Sequence, residues 1–260
     1  MELLGYVGAV VIGLSLGLLG GGGSILAVPL LVYLFKVPAG TATFYSLFIV
    51  GLTSAVGFVK AAQAKQVNLS ALAVFAIPSM AGVLVVRRLI LPTVPTVVDF
   101  SVGSISKDAL ILIAFAVVML MASVAMIKPR AKETSQQKDP LWISAGKALS
   151  VGAVTGFVGA GGGFLIVPAL VVMNSLPMKI AVGTSLGIIA LNSFFGFFSD
   201  AIGGMSVDWS FVLKISALAV VGIVSGQQLG KRTSDTKLKP MFGVFVLIVG
   251  AAILLAQLLS

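Results

Sequence analysis

Residues 17–32 read GLLGGGGSILAVPLLV, and residues 156–171 read GFVGAGGGFLIVPALV. Residue i of the first stretch aligns without a gap with residue i+139 of the second, as far as Gly57–Phe58 against Gly196–Phe197. Across residues 17–58, 18 of the 42 aligned positions are identical, among them Gly20, Gly22, Gly23, Val28, Pro29, Pro38, Ser46, Ser54 and Gly57. A hydrophobic half that occurs twice, each copy broken by a glycine cluster, is the sequence pattern of a secondary transporter.

Composition bounds the reading. The chain has 260 residues, 58% hydrophobic and 10% charged, with a mean hydropathy of +1.16. Soluble domains carry about 25% charged residues because their surface faces water. This chain lacks the polar groups to cover itself and is expected to be an integral, multi-pass protein of the bacterial cytoplasmic membrane. It has no cysteine and no histidine, which excludes disulfide scaffolds, thiol and histidine catalysis, zinc sites and haem ligation. No metal and no cofactor is called for.

A net charge of +9 does not point to nucleic acid, because the basic residues cluster between apolar spans. Lys128, Arg130, Lys132 and Lys138 form one group; Lys231, Arg232, Lys237 and Lys239 form another. Such clusters mark cytoplasmic loops. The N-terminal stretch begins Met1-Glu2 instead of with a basic region, so it reads as a retained membrane segment and not as a cleaved leader.

Each half contains five apolar segments: 2–19, 24–36, 42–60, 68–90 and 108–127, then 142–158, 163–174, 180–198, 208–230 and 238–259. The fold expected is all-α and polytopic, with a first repeat over 1–127, a polar cytoplasmic linker over 128–140 and a second repeat over 141–260. Most segments approach the roughly 20 residues of a membrane helix. Segments 24–36 and 163–174 fall short, follow glycine runs and carry Pro29 and Pro168. They read as half-helices or re-entrant pieces, tolerated where free backbone faces protein or a wet cavity; the prolines suit a helix's first turn. Residues 91–107 read as a loop particular to the first half. If both basic clusters are cytoplasmic, the four segments between them and the odd number per half make the repeats inverted, with both termini outside. A re-entrant hairpin keeps that parity and a single broken helix destroys it. Arg87 and Arg88 then face outward, against the usual bias.

Glycine runs admit positive φ and close approach to the main chain. Gly20, Gly22, Gly23 and Ser24 in one half, with Gly159, Gly161, Gly162 and Gly163 in the other, can turn N–H groups inward at the start of a half-helix. There the helix dipole adds about half a positive charge. Two such nests at mid-membrane would hold a small oxyanion without a formal charge in the bilayer. The other readings are close helix packing, as small residues provide in membranes, and a cation filter of carbonyls, which no buried carboxylate supports. On the third segments, Ser46 matches Ser185 and Ser54 matches Ser193, with Thr53, Thr184 and Asn192 beside them. Ser46, Thr184, Ser185 and Asn192 are candidate substrate ligands; Ser54 and Ser193 read as interhelical contacts. All eight acidic residues fall at segment ends or in loops, so a mid-membrane carboxylate relay is not available, although Asp200 sits at a helix end. Lys60 and Lys179 sit at segment edges and suit the interface or an anion's entrance.

The phrase G-x-G-G-x-x-x-x-V-P-x-L, present as Gly20–Leu31 and Gly159–Leu170, resembles the TauE/SafE family of membrane transporters, the sulfite exporters. Gly183-Thr184-Ser185-Leu186 and the two-half size are similar to that family too. The resemblance covers nearly the whole chain and implies export of small sulfur-containing anions such as sulfite, sulfoacetate or related organosulfonates. Phe44-Tyr45 stands where the second half has Gly183-Thr184, so the halves are not expected to bind substrate alike. The expected partners are a small anionic substrate and the lipid bilayer, with no nucleic acid; nothing in the sequence sets the oligomeric state. An enzyme is disfavoured for want of nucleophiles and acids at depth, a channel would conduct regardless of a proton gradient, and an assembly factor would bind no solute. Replacing Gly22 or Gly162 by a bulky residue is expected to abolish transport while leaving insertion intact.

Overall fold

A computed structural model describes residues 2–95, 97–100, 103–127, 141–158, 160–173 and 176–258. The first half comprises α1 (Glu2–Leu19), a 3-10 turn (Gly20–Leu26), α2 (Ala27–Tyr33), α3 (Ala39–Gln63), α4 (Leu69–Val85) and α5 (Lys107–Ile127). A five-residue π turn, Val86–Ile90, prolongs α4. The second half comprises α6 (Leu141–Val158), a 3-10 turn (Ala160–Leu165), α7 (Ile166–Pro168), a π turn (Ala169–Met173), α8 (Met178–Ile202), α9 (Trp209–Arg232) and α10 (Asp235–Leu258). Pro29 and Pro168 sit in the first turns of α2 and α7, where a missing N–H costs no intrahelical bond. Loop 91–107 is more ordered than a loop: β1 (Val97–Phe100) and β2 (Gly103–Ser106) pair antiparallel within it.

The polypeptide from Leu3 to Tyr33 is an uninterrupted apolar helical run of 31 residues, but it is not one rod. Gly20 takes φ +67, and α2 returns along α1. Gly23 lies against Ile12 and Leu16, Gly8 against Leu30, and Gly5 against Phe35, whose ring meets Tyr6 at 5.5 Å. The first short segment is therefore the returning limb of a hairpin, and the alternative of one broken helix does not hold for it. α6 runs parallel to α4, with Gly152 on Ser79 and Gly156 on Val83. α8 starts beside Ala61 and Gln66, at the end of the molecule where α6 also starts, so the chain between α6 and α8 comes back as well.

The spanning helices end at two faces. At one, the lysine face, Lys179 donates to the Lys231 carbonyl at 3.4 Å and the Asn68 N–H donates to Thr184 Oγ1 at 2.9 Å. At the other, the arginine face, Arg87 pairs with Asp200 and Arg88 Nε donates to Ser199 Oγ at 3.0 Å.

The most extensive helix pairings are α1 with α9, α4 with α6, α5 with α10, and α3 with α8. Each joins one half of the sequence to the other. Small residues make this possible: a Cβ on Gly13 or Gly222 would overlap backbone of the facing helix, the close approach that drives association where lipid is as apolar as protein. The inner position belongs to α8, 78% of whose apolar window is buried, against 33% for α4 and for α10, which turn Ile77 and Ile248 toward lipid.

Local start signals repeat with the halves. Pro38 and Pro177 precede α3 and α8 in extended backbone, 139 positions apart. Asn68 caps α4 by accepting from the Ala71 N–H at 2.9 Å, and Asp208 caps α9 by accepting from the Phe211 N–H at 3.0 Å. Replacing either cap by alanine is expected to cost about 1 kcal/mol, read as a lower midpoint in thermal unfolding of the purified protein. Unchanged midpoints in both variants would show the caps to be idle.

Candidate functional site

The two glycine runs meet in the interior. Gly21 sits over the Gly163 carbonyl so tightly that a Cβ would overlap the oxygen. Gly20 lies within reach of Ser185, where a Cβ would stand 2.8 Å from Oγ, and Gly163 lies against Ile189, near the middle of α8. The breaks thus touch at about half the depth of the helices. They pack directly on each other with no gap between them. Gly22 faces the Phe242 ring and Gly23 packs on α1.

The remaining candidates divide. Ser24 is fully buried and donates to the Gly21 carbonyl at 2.7 Å; its hydroxyl lies 3.0 Å from where a Cβ on Gly163 would be. Ser185 donates to the Val182 carbonyl at 2.8 Å beside Gly20. These two, with Gly20 and Gly163, gather at the breaks. Gly161 and Gly162 belong to the 3-10 turn Ala160–Leu165, and Gly159 lies outside the described residues. Thr184 is engaged at the lysine face by the Asn68 N–H. Ser46 donates to Thr43 on its own helix at 2.7 Å. Asn192 exchanges hydrogen bonds with Ser79 of α4 at 3.1–3.2 Å.

Clefts flank the breaks toward each face. On the lysine side, adjoining cavities share Ala61, Gln66, Gln227 and Lys231. The outer one encloses about 720 Å3, counting space open to solvent, and is rimmed by Lys60, Gln63, Gln228 and Lys231. The inner one encloses about 370 Å3 and is floored by Gly17, Leu18, Val182 and Gly183 with Lys179 at its edge. Gly17 and Leu18 immediately precede the first break. Three lysines around a cleft with low-dielectric walls concentrate anions at its mouth.

The arginine side is closed. A cleft of about 280 Å3 lies between Gly163, Ile189, Asn192, Ser193, Thr155 and Arg87. Over that face the rings of Phe44 and Phe197 stack at 4.8 Å, with Phe48 and Trp209 packed edge-on at 5.3 Å, and the Tyr45 hydroxyl accepts from the Asp208 N–H at 3.0 Å. The repeat explains the asymmetry. Phe44-Tyr45 fills the arginine face with rings, whereas its counterpart Gly183-Thr184 lines the lysine side, where Gly183 lies against the Gln66 carbonyl at the wall of the inner cavity. A side chain at 183 has no room either, since its Cβ would overlap the Gln66 carbonyl.

Among the described residues, three buried side-chain polar atoms have no partner: Ser54 Oγ, Arg87 Nε and Gln227 Oε1. Arg87 and Gln227 line the clefts at opposite faces, at positions related by the repeat with an offset of 140. Neither stood among the expected ligands. The available signal was their place, two charged or amide residues near the end of the fourth segment of each half.

A family model described as sulfite exporter TauE/SafE matches residues 6–253. A probable membrane transporter protein of Xylella fastidiosa (strain Temecula1) is 30% identical over 248 residues, covering 92% of this chain and 89% of that one. Its counterpart in strain 9a5c is 29% identical over 246 residues, with the same coverage. The probable membrane transporter protein YunE of Bacillus subtilis is 25% identical over 291 residues, covering 99% of this chain and all of the relative. No solved structure matches.

Proposed function

Because the chain belongs to the sulfite exporter TauE/SafE family and is thus a multi-pass membrane transporter, we propose that it exports small sulfur-containing oxyanions, of the sulfite or organosulfonate class, by alternating access. In this reading the two halves are inverted repeats. The first hairpin enters from the arginine face and the second from the lysine face, and their tips meet at mid-depth.

Charge orients the molecule. Among the described residues, the lysine face carries eight basic residues and one acidic residue, and the arginine face five of each. The net charge of the described residues therefore sits on the lysine face, which the positive-inside rule makes cytoplasmic. An open cleft at that face and a closed one opposite describe an inward-open state. An anion drawn in by Lys60, Lys179 and Lys231 reaches the cleft floor beside the first break; on this reading, parting of the two breaks during the transport cycle then frees the main-chain amides of Gly20–Gly23 and the hydroxyls of Ser24 and Ser185 to hold it without a buried countercharge. The observation that supports this reading is a lysine-rimmed cleft whose floor, at Gly17 and Leu18, lies within one helical turn of the first glycine break.

The test is a thermal-stability screen of purified protein against sulfite, sulfate, thiosulfate and organosulfonates, followed by counterflow in proteoliposomes. A solute bound to the folded state at a hundred times its Kd adds about 2.7 kcal/mol. Stabilisation and counterflow by one sulfur oxyanion are expected. Stabilisation by carboxylates alone would reassign the substrate class, and no response with no counterflow would overturn the reading.

A further inference from the structure

Arg87 occupies an unusual position. It sits in the π turn Val86–Ile90, whereas Gln227 at the matching place lies in the regular helix α9. A π turn inserts one extra residue per turn, is rare, and recurs at functional sites. The side chain is only 6% exposed. One end of the guanidinium is paired: Nη1 donates to Asp200 Oδ2, joining the end of α4 to the end of α8. The Nε–H has no acceptor, although it is buried and its side chain lines the cleft shared with Gly163, Asn192, Ser193 and Thr155. An unsatisfied charged donor costs more than a neutral one, and an arginine's fork of donors matches an oxyanion. In this closed state the cleft has room for no more than about one water, so a larger acceptor needs the Arg87–Asp200 pair to part; Gly163 connects the cleft to the breaks.

The geometry points to Arg87 as an exchangeable anion ligand: paired with Asp200 it latches the arginine-face exit shut, and released from Asp200 it receives the sulfonate or sulfite oxygens of the solute leaving the glycine breaks. This rests on the transporter reading and adds to it the exit-side ligand and its latch. It also accounts for two arginines on the face that the positive-inside rule disfavours, since Arg87 and Arg88 are held there by Asp200 and Ser199. The second half cannot duplicate the device, because Gln227 carries no charge and its amide donates to the Gly57 carbonyl at 2.7 Å. The latch is thus built for one face only.

The absence of cysteine makes the test direct, since a single introduced thiol reports without background. Ser193→Cys places a thiol in the exit cleft, and Thr155→Cys is a second reporter on another helix should the first fail to fold. Purified protein is labelled with a charged methanethiosulfonate, with methanesulfonate as the unreactive oxyanion probe. With Arg87 and Asp200 intact, labelling is expected to be slow. Asp200→Asn should speed it about tenfold or more, as loss of a buried pairing shifts the closed state toward open. Methanesulfonate should then slow labelling of the Asp200→Asn protein, and lose that effect when Arg87→Gln is added. Equal labelling rates with and without Asp200, at both reporters, overturn the latch. Protection by methanesulfonate that persists without Arg87 overturns its role as ligand. Counterflow that fails for the unmodified chain while labelling still responds to Asp200→Asn would sink the transporter reading and leave the latch standing.

Discussion

Gly21→Val is expected to abolish transport while the protein still inserts in the membrane. A Cβ at this position would overlap the carbonyl oxygen of Gly163 and stand 2.5 Å from its carbon and 3.0 Å from the Phe164 nitrogen. All three atoms are backbone of the opposite break, so no side-chain rotation relieves the clash. The tips of the two hairpins would have to part, and overpacking of this kind costs about 1–3 kcal/mol even where some relaxation is possible. Insertion is a property of the individual apolar segments and does not depend on the tips. The neighbours grade the effect. Gly22→Ala meets only the edge of the Phe242 ring at 3.0 Å, which a side chain can yield, and should keep measurable transport. Gly40→Ala has nothing within 4 Å and sits in a helix, where alanine is favoured by about 0.8–1 kcal/mol; it should be neutral or slightly stabilising. Counterflow of a sulfur oxyanion in proteoliposomes, set beside the amount of protein inserted, measures the series. Full transport by Gly21→Val would show that the breaks do not touch as described.

The sequence singles out Gly22 and neither Gly21 nor Gly40, and the difference among these three glycines shows how far it could be read. Apolar segment lengths and the offset of 139 made the helices, the halves and the two breaks legible, because a membrane helix is written locally in hydropathy and length. The short proline-bearing segments narrowed α2 to a half-helix or re-entrant piece, and the packing of Leu30 on Gly8 and of Gly23 on α1 decided the matter. Thr184 is instructive in the other direction. The sequence marks it as a candidate ligand beside the repeat motif, and the structure adds that its oxygen accepts the N–H of Asn68, 116 positions away, a contact that no local pattern encodes. Arg87 was visible only as a charge on a face where positive residues are scarce. Its partner Asp200 lies 113 positions along the chain, a pairing that no local pattern encodes.

The asymmetry between the halves follows the same logic. Phe44-Tyr45 against Gly183-Thr184 is one of the differences between third segments that are identical at 8 of the 20 positions from 39 to 58. On the proposed reading of two inverted repeats, bulky rings at one face and a glycine at the other would bias which cleft is filled and give the transporter a resting preference. A shift from that preference needs a ligand with different affinity for the two states. On the proposed reading, an anion met by lysines at one mouth and by an arginine at the other would have such a difference available.

Expressed as separate chains, residues 1–127 and residues 141–260 are each expected to insert and neither to fold; together they should assemble. The reason lies in how the helices pair. α1 packs on α9, α4 on α6, α3 on α8 and α5 on α10, so every dominant contact crosses from one half to the other. Alone, the first half would leave the glycine face of α1 facing lipid where Ala219 and Ile223 now meet Gly13, and would leave Ser79 without Asn192. Association in a bilayer depends on this kind of close backbone packing, since lipid supplies no hydrophobic drive between helices. The buried stretch Ala181–Ala190 of α8, continuous around the helix, would lose its contact with α3. Fluorescence-detected size exclusion of the detergent extract reads the outcome. Each half alone should give about a tenfold lower monodisperse peak than the intact chain, on the view that two or more lost helix interfaces exceed the 1.4 kcal/mol that a factor of ten requires. Coexpression should restore the peak without a covalent link through 128–140. A first half that is monodisperse and resists protease by itself would mean that the repeats fold as independent bodies, and the interleaved packing described here would be wrong.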